Sequence, residues 1–315
     1  MIVRWSLAEL PSTLAEVGVA RPFVVASERW RALDVPQAAW WNEVPSHRVE
    51  VPDGIDGVLA VGGGSAIDTG KNVSSQTGLP LVSVPTTYSG AEWSSSYGVR
   101  SPDRRIRGGG AGAHLAGIVY DVELTLDLPL EVTAGTAMNA LAHCAEALYV
   151  KGRCEEGDEA ALAGAPLIAG ALPRVLAAPH DREAREELLR GAMHAGRALG
   201  VAGLGLAHAM AQAAGGTYGL PHGAMNALCL PPALAFNESF VPAEIERFGT
   251  AVGGDAVERA RGLARLGGFE RLRDFGVPGD ELPALGEAAS RRGGNHANPR
   301  PATAEEITGL YRAIY

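Results

Sequence analysis

The stretch VLAVGGGSAIDTGKN, residues 58–72, constrains the fold more than any other part of the chain. Its first residues are apolar, three glycines follow, and a helical pattern comes next in which Ser65 and Asp68 have the spacing of a capping pair. We interpret it as a buried strand, a tight turn and a helix that opens at Ser65. Backbone without side chains lets an anion approach the positive end of a helix. The stretch therefore predicts an α/β fold with an anion site on the turn.

Two better-known phosphate-binding motifs do not occur in this stretch. GxGxxG is absent because Ser-Ala-Ile follows the glycines, and GxxxxGK[ST] is absent because Asn72 follows Lys71. A tight turn that binds no ligand therefore stays an alternative for this stretch taken alone.

A second polar turn, VPTTYSGAEWSSSYG, follows the next predicted strand at residues 84–98. Ligands of parallel α/β sheets bind at the carboxyl ends of the strands, so we expect the two turns to line one crevice. Hydroxyl groups there can bond phosphate or ribose. Together the turns favour a nucleotide cofactor over a turn without a ligand. The predicted cofactor-binding residues are Gly62, Gly63, Gly64, Ser65, Asp68, Thr86, Thr87 and Ser89.

The pattern of elements changes near residue 128. Before it, short apolar runs alternate with helical stretches, which predicts βαβ units and a parallel sheet; the runs are 21–27, 57–64, 81–87 and 117–121. After it come Ala- and Leu-rich helical segments at 131–151, 157–177, 181–199, 203–216, 222–236, 241–252, 255–266 and 303–314, with a loop expected at 290–303. We predict a Rossmann-like α/β domain at 1–128 and an all-helical domain at 129–315.

Composition narrows the classes of function. Of 315 residues, 46% are hydrophobic and 20% charged, which is typical of a soluble globular protein, and the net charge of -9 argues against nucleic-acid binding. The cysteines Cys144, Cys154 and Cys229 have no CxxC spacing, which fits a reducing compartment. No signal-peptide pattern is seen, and the apolar run 160–173 is too short to span a bilayer. We expect a cytoplasmic protein without a membrane partner.

Polar residues in the helical half suggest a site. In TAMNALAHCAEALY, residues 136–149, Asn139 and His143 are four apart on an apolar helix and so face the same way. His208 and His222 lie on two later helical segments. Each histidine alone is more often a core residue, but three together favour a site. A metal site, a former metal site and two polar residues on a helix are the alternatives.

Several motifs resemble those of the iron-containing (group III) alcohol dehydrogenases. In family order they are GGGSAID, PTTYSGAE, VYDVELTLDLP, MNALAH and HAMAQAAGGTYGLPHG, and the resemblance runs from about residue 8 to residue 315. It implies a dinucleotide-binding domain, a helical domain and an active site in the cleft between them. PTTYSG, MNALAHCAEALY, GGTYGLPH and NPRP (298–301) are most similar to the maleylacetate reductase branch. That branch uses NAD(P)H to reduce the carbon–carbon double bond of maleylacetate to give 3-oxoadipate.

The resemblance also implies the site residues. Asn139, His143, His208 and His222 fall on metal-type positions, where metal-dependent members have Asp first; a neutral amide weakens divalent binding, so no metal is expected. The cofactor is then NAD(H) or NADP(H), the substrate a small anionic keto acid, and the assembly a homodimer. The implied catalytic residues are His143, His208, His222, Asn139 and Arg300.

Some residues depart from the family pattern. Gln212 stands where the family usually has a proton-relaying histidine, and the ribose-binding lysine has only Arg105 or Arg107 as a substitute. These departures keep two alternatives open. One is a divergent reductase of an aldehyde or ketone in a biosynthetic pathway, and the other is a nucleotide-binding protein without catalysis.

Overall fold

The computed structural model describes residues 1–101 and 106–315, with the side chains at positions 100, 106 and 107 left aside. Arg105 and the side chain of Arg107 therefore lie outside the described part of the chain. The described residues form two compact units. One comprises Met1–Thr87 and Ala91–Thr125, and the other comprises Tyr88–Gly90 and Leu126–Tyr315.

The first unit is built on a parallel sheet. Its strands are β1 (Ile2–Arg4), β2 (Pro22–Val25), β3 (Ala39–Trp41), β4 (Gly57–Gly62), β5 (Leu81–Pro85), β6 (Tyr97–Arg100), β7 (Ile106–Gly110) and β8 (Leu115–Val119). Six of them form one sheet in the order β1-β8-β5-β4-β2-β3, with every neighbouring pair parallel. β6 and β7 pair antiparallel. Helices α1 (Leu10–Glu16) and α2 (Gly64–Thr77) belong to this unit.

The four predicted strands are confirmed as β2, β4, β5 and β8. All residues of β2, β4 and β5 are buried, and apolar clusters cover the two faces of the sheet. The outer strands β1 and β3 were not predicted, because each has three residues that are only half-buried.

The second unit, all of whose residues the structure describes, is helical. Its helices are α3 (Leu130–Ala147), α4 (Glu155–Ala177), α5 (Arg182–Ala202), α6 (Leu206–Tyr218), α7 (His222–Glu238), α8 (Pro242–Val252), α9 (Ala256–Leu266), α10 (Leu282–Ser290), α11 (Gly293–Ala297) and α12 (Ala304–Ala313). The predicted fold class, a Rossmann-like parallel sheet followed by helices, is confirmed.

The prediction of a plain loop at 290–303 is wrong. Helix α11 lies inside this segment, and Asn295 fastens it to its neighbours. The Asn295 amide donates to the carbonyl oxygens of Ser290 and Ala302 and accepts from the Ala302 N–H. Such bonds from a side chain to distant backbone cannot be anticipated from local propensity.

Helix α4 is the one helix in the described part of the chain that is long and apolar enough to cross a membrane, and α5 with α6 passes the same test only as a span bent by 99°. Half of the apolar window of α4 is buried inside the unit. Its small and aliphatic residues pack on α3 and α5. This apolar surface therefore contributes to the core of the helical unit.

Two glycines let α3 and α7 approach closely. A Cβ added to Gly223 would lie 2.4 Å from the carbonyl carbon of Gly135, a contact that no real Cβ makes. Gly135 lies one turn before Asn139 on α3, and Gly223 follows His222 on α7. The glycine pair therefore sets how near His222 comes to the polar residues of α3.

Replacing Gly223 by alanine should separate these helices. We expect Gly223→Ala to lower the free energy of unfolding by about 1–3 kcal/mol, since the overpacked methyl meets backbone that cannot rotate away. Thermal denaturation measures the change. The matched control is Gly262→Ala on α9, where an added Cβ meets nothing within 4 Å, and which should stabilise the protein by about 0.5–1 kcal/mol. Equal melting temperatures for Gly223→Ala and Gly262→Ala would contradict the conclusion that the contact between Gly135 and Gly223 lets α3 and α7 pack closely.

Candidate active site

Three histidine rings from three helices meet in the second unit. His143 comes from α3, His208 from α6 and His222 from α7. The rings of His143 and His208 stack with centroids 4.6 Å apart, and those of His208 and His222 are 5.8 Å apart. The structure thus brings the three predicted histidines together.

The Asn139 amide lies at the centre of this cluster. Its Nδ2 donates to the carbonyl oxygen of Ser89 over 2.9 Å, which fixes the orientation of the amide. The same Nδ2 faces His143 Nε2 at 3.5 Å. Its Oδ1 consequently points the other way, toward His208 Nε2 at 3.3 Å. One neutral side chain therefore connects two imidazoles to the polar loop before α3.

A second amide, Asn226, completes the cluster and was missed by the sequence analysis. Its Nδ2 donates to Asn139 Oδ1 over 2.7 Å and reaches His222 Nε2 at 3.1 Å. Asn226 lies one turn after His222 on α7 and is fully buried. Its spacing of four from a candidate histidine, on an otherwise apolar helix, is the signal that could have found it.

Glu146 is the second site residue that the sequence analysis missed. Its carboxylate accepts from His208 Nδ1 over 2.6 Å and from the backbone N–H groups of Gly205 and His208. Asn139, His143 and Glu146 form one stripe on α3, at spacings of four and three residues. A carboxylate that extends the stripe of Asn139 and His143 on a buried helix was the available signal.

Burial in the cluster determines the protonation state of His143. Burial, and then the neighbouring charges of His208 and His222, keep the pKa of His143 well below its usual range. His143 is therefore a neutral ring stacked on His208. Its Nδ1 atom is buried and has no hydrogen-bond partner among the described residues.

Arg300 does not belong to this cluster, which corrects its prediction as a site residue. Its guanidinium forms two hydrogen bonds with Glu306, at 2.7 and 3.1 Å, and lies over the rings of Phe236 and Phe240. Phe236 is fourteen residues after His222 on α7, which is about 21 Å along the helix. Arg300, the arginine of NPRP, therefore packs against the end of α7 that is distant from His222.

The glycine turn of the first unit ends β4 and begins α2. Helix α2 starts at Gly64 after the N-cap Gly63, and no side chain caps it, so the predicted capping by Ser65 and Asp68 is wrong. A Cβ on Gly63 would lie 2.8 Å from Thr87 Cγ2. Thr87 Oγ1 is buried without a hydrogen-bond partner in the described part of the chain. An open helix end beside an unpartnered hydroxyl fits an anionic group.

The other residues predicted to bind the cofactor have structural contacts. Asp68 forms an ion pair with the buried Lys71 at 2.9 Å and accepts from the Gly98 N–H. Thr86 donates its N–H to the carbonyl oxygen of Gly62, which joins the two turns. Ser89 lies in the second unit, where its carbonyl orients Asn139. The Gly62–Ser65 turn and the Thr87 hydroxyl keep groups available for an anion.

Two models of one known protein family match this chain. The model for iron-containing alcohol dehydrogenase matches residues 14–105, and the model for the C-terminal part of the Fe-containing alcohol dehydrogenase family matches residues 133–315. The chain belongs to the iron-containing alcohol dehydrogenase family. This membership supports an oxidoreductase role and confirms the family resemblance of the motifs.

Similar proteins include maleylacetate reductases. That of Burkholderia cepacia is 34% identical over 264 residues, covering 83% of this chain and 74% of the relative, and that of Pseudomonas knackmussii is 31% identical, covering 98% and 93%. The crystal structure of maleylacetate reductase from Agrobacterium tumefaciens superposes with a TM-score of 0.87 at 28% identity, covering 100% of this chain and 95% of that one. The resemblance to that branch is therefore confirmed.

The histidine cluster does not fit a divalent cation. In the described residues, no group of three His, Cys, Asp or Glu side chains is arranged to hold a metal ion. His222 Nε2 receives the Asn226 amide N–H, so the lone pair that a metal would need is occupied. Asn139 adds a neutral amide oxygen that already accepts from Asn226. The imidazoles therefore bond to amides.

A carboxylate in place of the Asn139 amide should create a metal site. We expect Asn139→Asp to bind Zn²⁺ stoichiometrically, because the charged oxygen draws the Asn226 N–H away from His222 Nε2, and three imidazoles and a carboxylate oxygen then form a complete tetrahedral donor set. Isothermal titration of the metal-stripped variants with Zn²⁺ measures it. The matched control, Asn237→Asp, makes the same change at a buried amide that pairs with Asn298 and should not bind. Equally tight binding by the unaltered protein would contradict the assignment.

Proposed function

We propose that the chain is an NAD(P)H-dependent reductase of the maleylacetate reductase kind, which reduces the carbon–carbon double bond of an unsaturated keto acid without a metal. The observation that carries the proposal is the cluster of three imidazoles around the Asn139 amide. It offers proton donors and positive charge where a metal would otherwise act as Lewis acid. The similarity to maleylacetate reductases along almost the whole chain supports the same substrate class.

The cofactor would be held by its pyrophosphate at the amino end of α2. The uncapped N–H groups of Gly64 and Ser65 and the positive end of a 14-residue helix favour two negative phosphates. Gly63 leaves room for them beside Thr87, whose hydroxyl is free to donate. When bound, NAD(P)H supplies the hydride, and the protein binds and orients it.

The histidines would stabilise the charge that the hydride creates on the substrate. As hydride adds to the carbon conjugated with the carbonyl group, negative charge develops on the carbonyl oxygen. Both nitrogens of His208 face acceptors, Glu146 on one side and Asn139 Oδ1 on the other, and only an imidazolium satisfies both. His208 can therefore donate to an enolate oxygen.

A proton must then reach carbon to complete the reduction. His208 or His222 is placed to supply it, while the neutral His143 packs against His208. Arg300 is bound to Glu306, so the proposal does not use it to bind the carboxylates of the substrate.

A divergent reductase of an aldehyde or ketone is the second candidate. Gln212, one turn after His208 on α6, favours it because glutamine cannot relay a proton as the usual histidine would. This candidate shares the cofactor and the family and differs in the bond reduced.

A substrate comparison separates the two candidates. Loss of NADH and NADPH absorbance is followed with maleylacetate and with a panel of aldehydes and ketones of similar size. We expect turnover with maleylacetate and 3-oxoadipate as the product identified by mass spectrometry. Turnover confined to aldehydes or ketones would overturn the proposed substrate, and failure to bind either cofactor would overturn the reductase.

The cofactor site has its own test. We expect Gly63→Val to weaken NADH binding by roughly 10-fold or more, corresponding to about 1.4 kcal/mol, because the side chain would fill the space beside Thr87. Protein fluorescence quenching measures the dissociation constant. The control Gly108→Ala, in the same unit with nothing within 4 Å of an added Cβ, should bind as the unaltered protein does. Undiminished binding by Gly63→Val would refute the site.

A further inference from the structure

We propose that Glu146 is a positioning residue that keeps a proton on Nδ1 of His208 and thereby aims Nε2 at the substrate. The inference rests on the proposed function, since it assigns a partner to the histidine that would donate to the enolate. Glu146 acts through His208. It is fully buried and bonds the ring nitrogen opposite the one that faces Asn139.

Three donors converge on the Glu146 carboxyl group. Oε2 accepts from the Gly205 N–H over 2.7 Å and from His208 Nδ1 over 2.6 Å, while Oε1 accepts from the His208 N–H over 3.1 Å. Two backbone N–H groups donate to its two oxygens, an arrangement that favours a carboxylate. The hydrogen on the shortest of these bonds therefore belongs to His208 Nδ1.

The carboxylate also takes the place of a missing helix cap. Helix α6 begins after Gly205, which has no side chain to cap it, and Glu146 reaches from α3 to bond Gly205 and the third residue of the helix. A negative charge is favoured at this end of a helix. A Cβ on Gly205 would lie 3.1 Å from Glu146 Cδ, so glycine is what admits the carboxylate this close.

Other titratable neighbours of Glu146 stay neutral. Burial, and then the charge of Glu146, raise the pKa of Cys229 and that of Tyr149. The imidazole of His208 is thus the one group paired with this carboxylate in the described part of the chain that can carry a compensating positive charge.

A residue that only caps α6 would not need a carboxylate oxygen at His208 Nδ1. The capping role and the positioning role of Glu146 can therefore be tested separately. Glu146→Gln keeps the shape but gives the side chain one acceptor and one N–H₂ group. Its oxygen can satisfy the helix end from Oε1 only if the N–H₂ group faces His208 Nδ1, which then must accept, so Nδ1 loses its proton and the ring keeps only the proton on Nε2. A glutamate that only caps the helix would leave the ring proton where it is.

The experiment combines histidine NMR with kinetics on the full chain. Long-range ¹H–¹⁵N spectra of histidine-labelled protein locate the ring protons of its eight histidines, with His208 assigned by the signal lost in His208→Asn. We expect an Nδ1–H on His208 in the unaltered protein, its loss in Glu146→Gln and its retention in Glu146→Asp. With maleylacetate, we expect kcat to fall by about 100-fold in Glu146→Gln with KM little changed, and Glu146→Asp to recover part of it.

The matched control is Asp255→Ala. Asp255 caps α9 through the Glu258 N–H, so its loss removes a helix cap of the same unit without touching the histidines. It should lower the melting temperature and leave kcat and the His208 signal unchanged. Loss of kcat in Asp255→Ala equal to that in Glu146→Gln would overturn the proposal.

The outcomes keep this inference distinct from the proposed function. A His208 of the unaltered protein without an Nδ1 proton overturns the inference even if Glu146→Gln fails to fold. An Nδ1 proton that persists in Glu146→Gln overturns it as well. Absence of maleylacetate turnover in the unaltered protein refutes the proposed function, whereas the NMR result still decides what Glu146 does.

Discussion

The Asn139 amide is the interaction on which the arrangement of the site depends. Its N–H₂ group is held by the Ser89 carbonyl, so its oxygen has to face His208 and Asn226. A carboxylate at this position would repel the Ser89 carbonyl oxygen and would call for a cation between it and the imidazoles. The neutral amide instead joins the helices through hydrogen bonds, and on the proposed function this difference lets the imidazoles act without a metal.

Burial and pairing with a carboxylate set the environments of the imidazoles around that amide. His143 is kept neutral by its surroundings, while His208 is paired with Glu146, a carboxylate that also closes the open end of α6. Two glycine contacts make this possible, one at the crossing of α3 and α7 and one where Glu146 meets Gly205. The packing of the helices and the chemistry of the site therefore depend on the same close approaches.

Much of the fold could be predicted from the sequence, because buried parallel strands and apolar helices leave strong local patterns. The short edge strands and α11 could not, since half-buried residues and the amide bonds of Asn295 carry no local signal. The three histidines were found because several imidazoles in one apolar region are unusual. Glu146 and Asn226 were missed although each extends a helical stripe that was already recognised, and Arg300 was misplaced because sequence proximity to a motif says nothing about which end of α7 it reaches.

The central claim is that this cluster supports reduction without a metal, and metal removal tests it most directly. The unaltered protein is stripped with a strong chelator, its metal content is measured, and kcat/KM for maleylacetate with NADH is determined before and after stoichiometric Fe²⁺ or Zn²⁺ is returned. The account predicts the same kcat/KM for the stripped and the metal-supplemented protein. Activity that disappears on stripping and returns with either metal would contradict it.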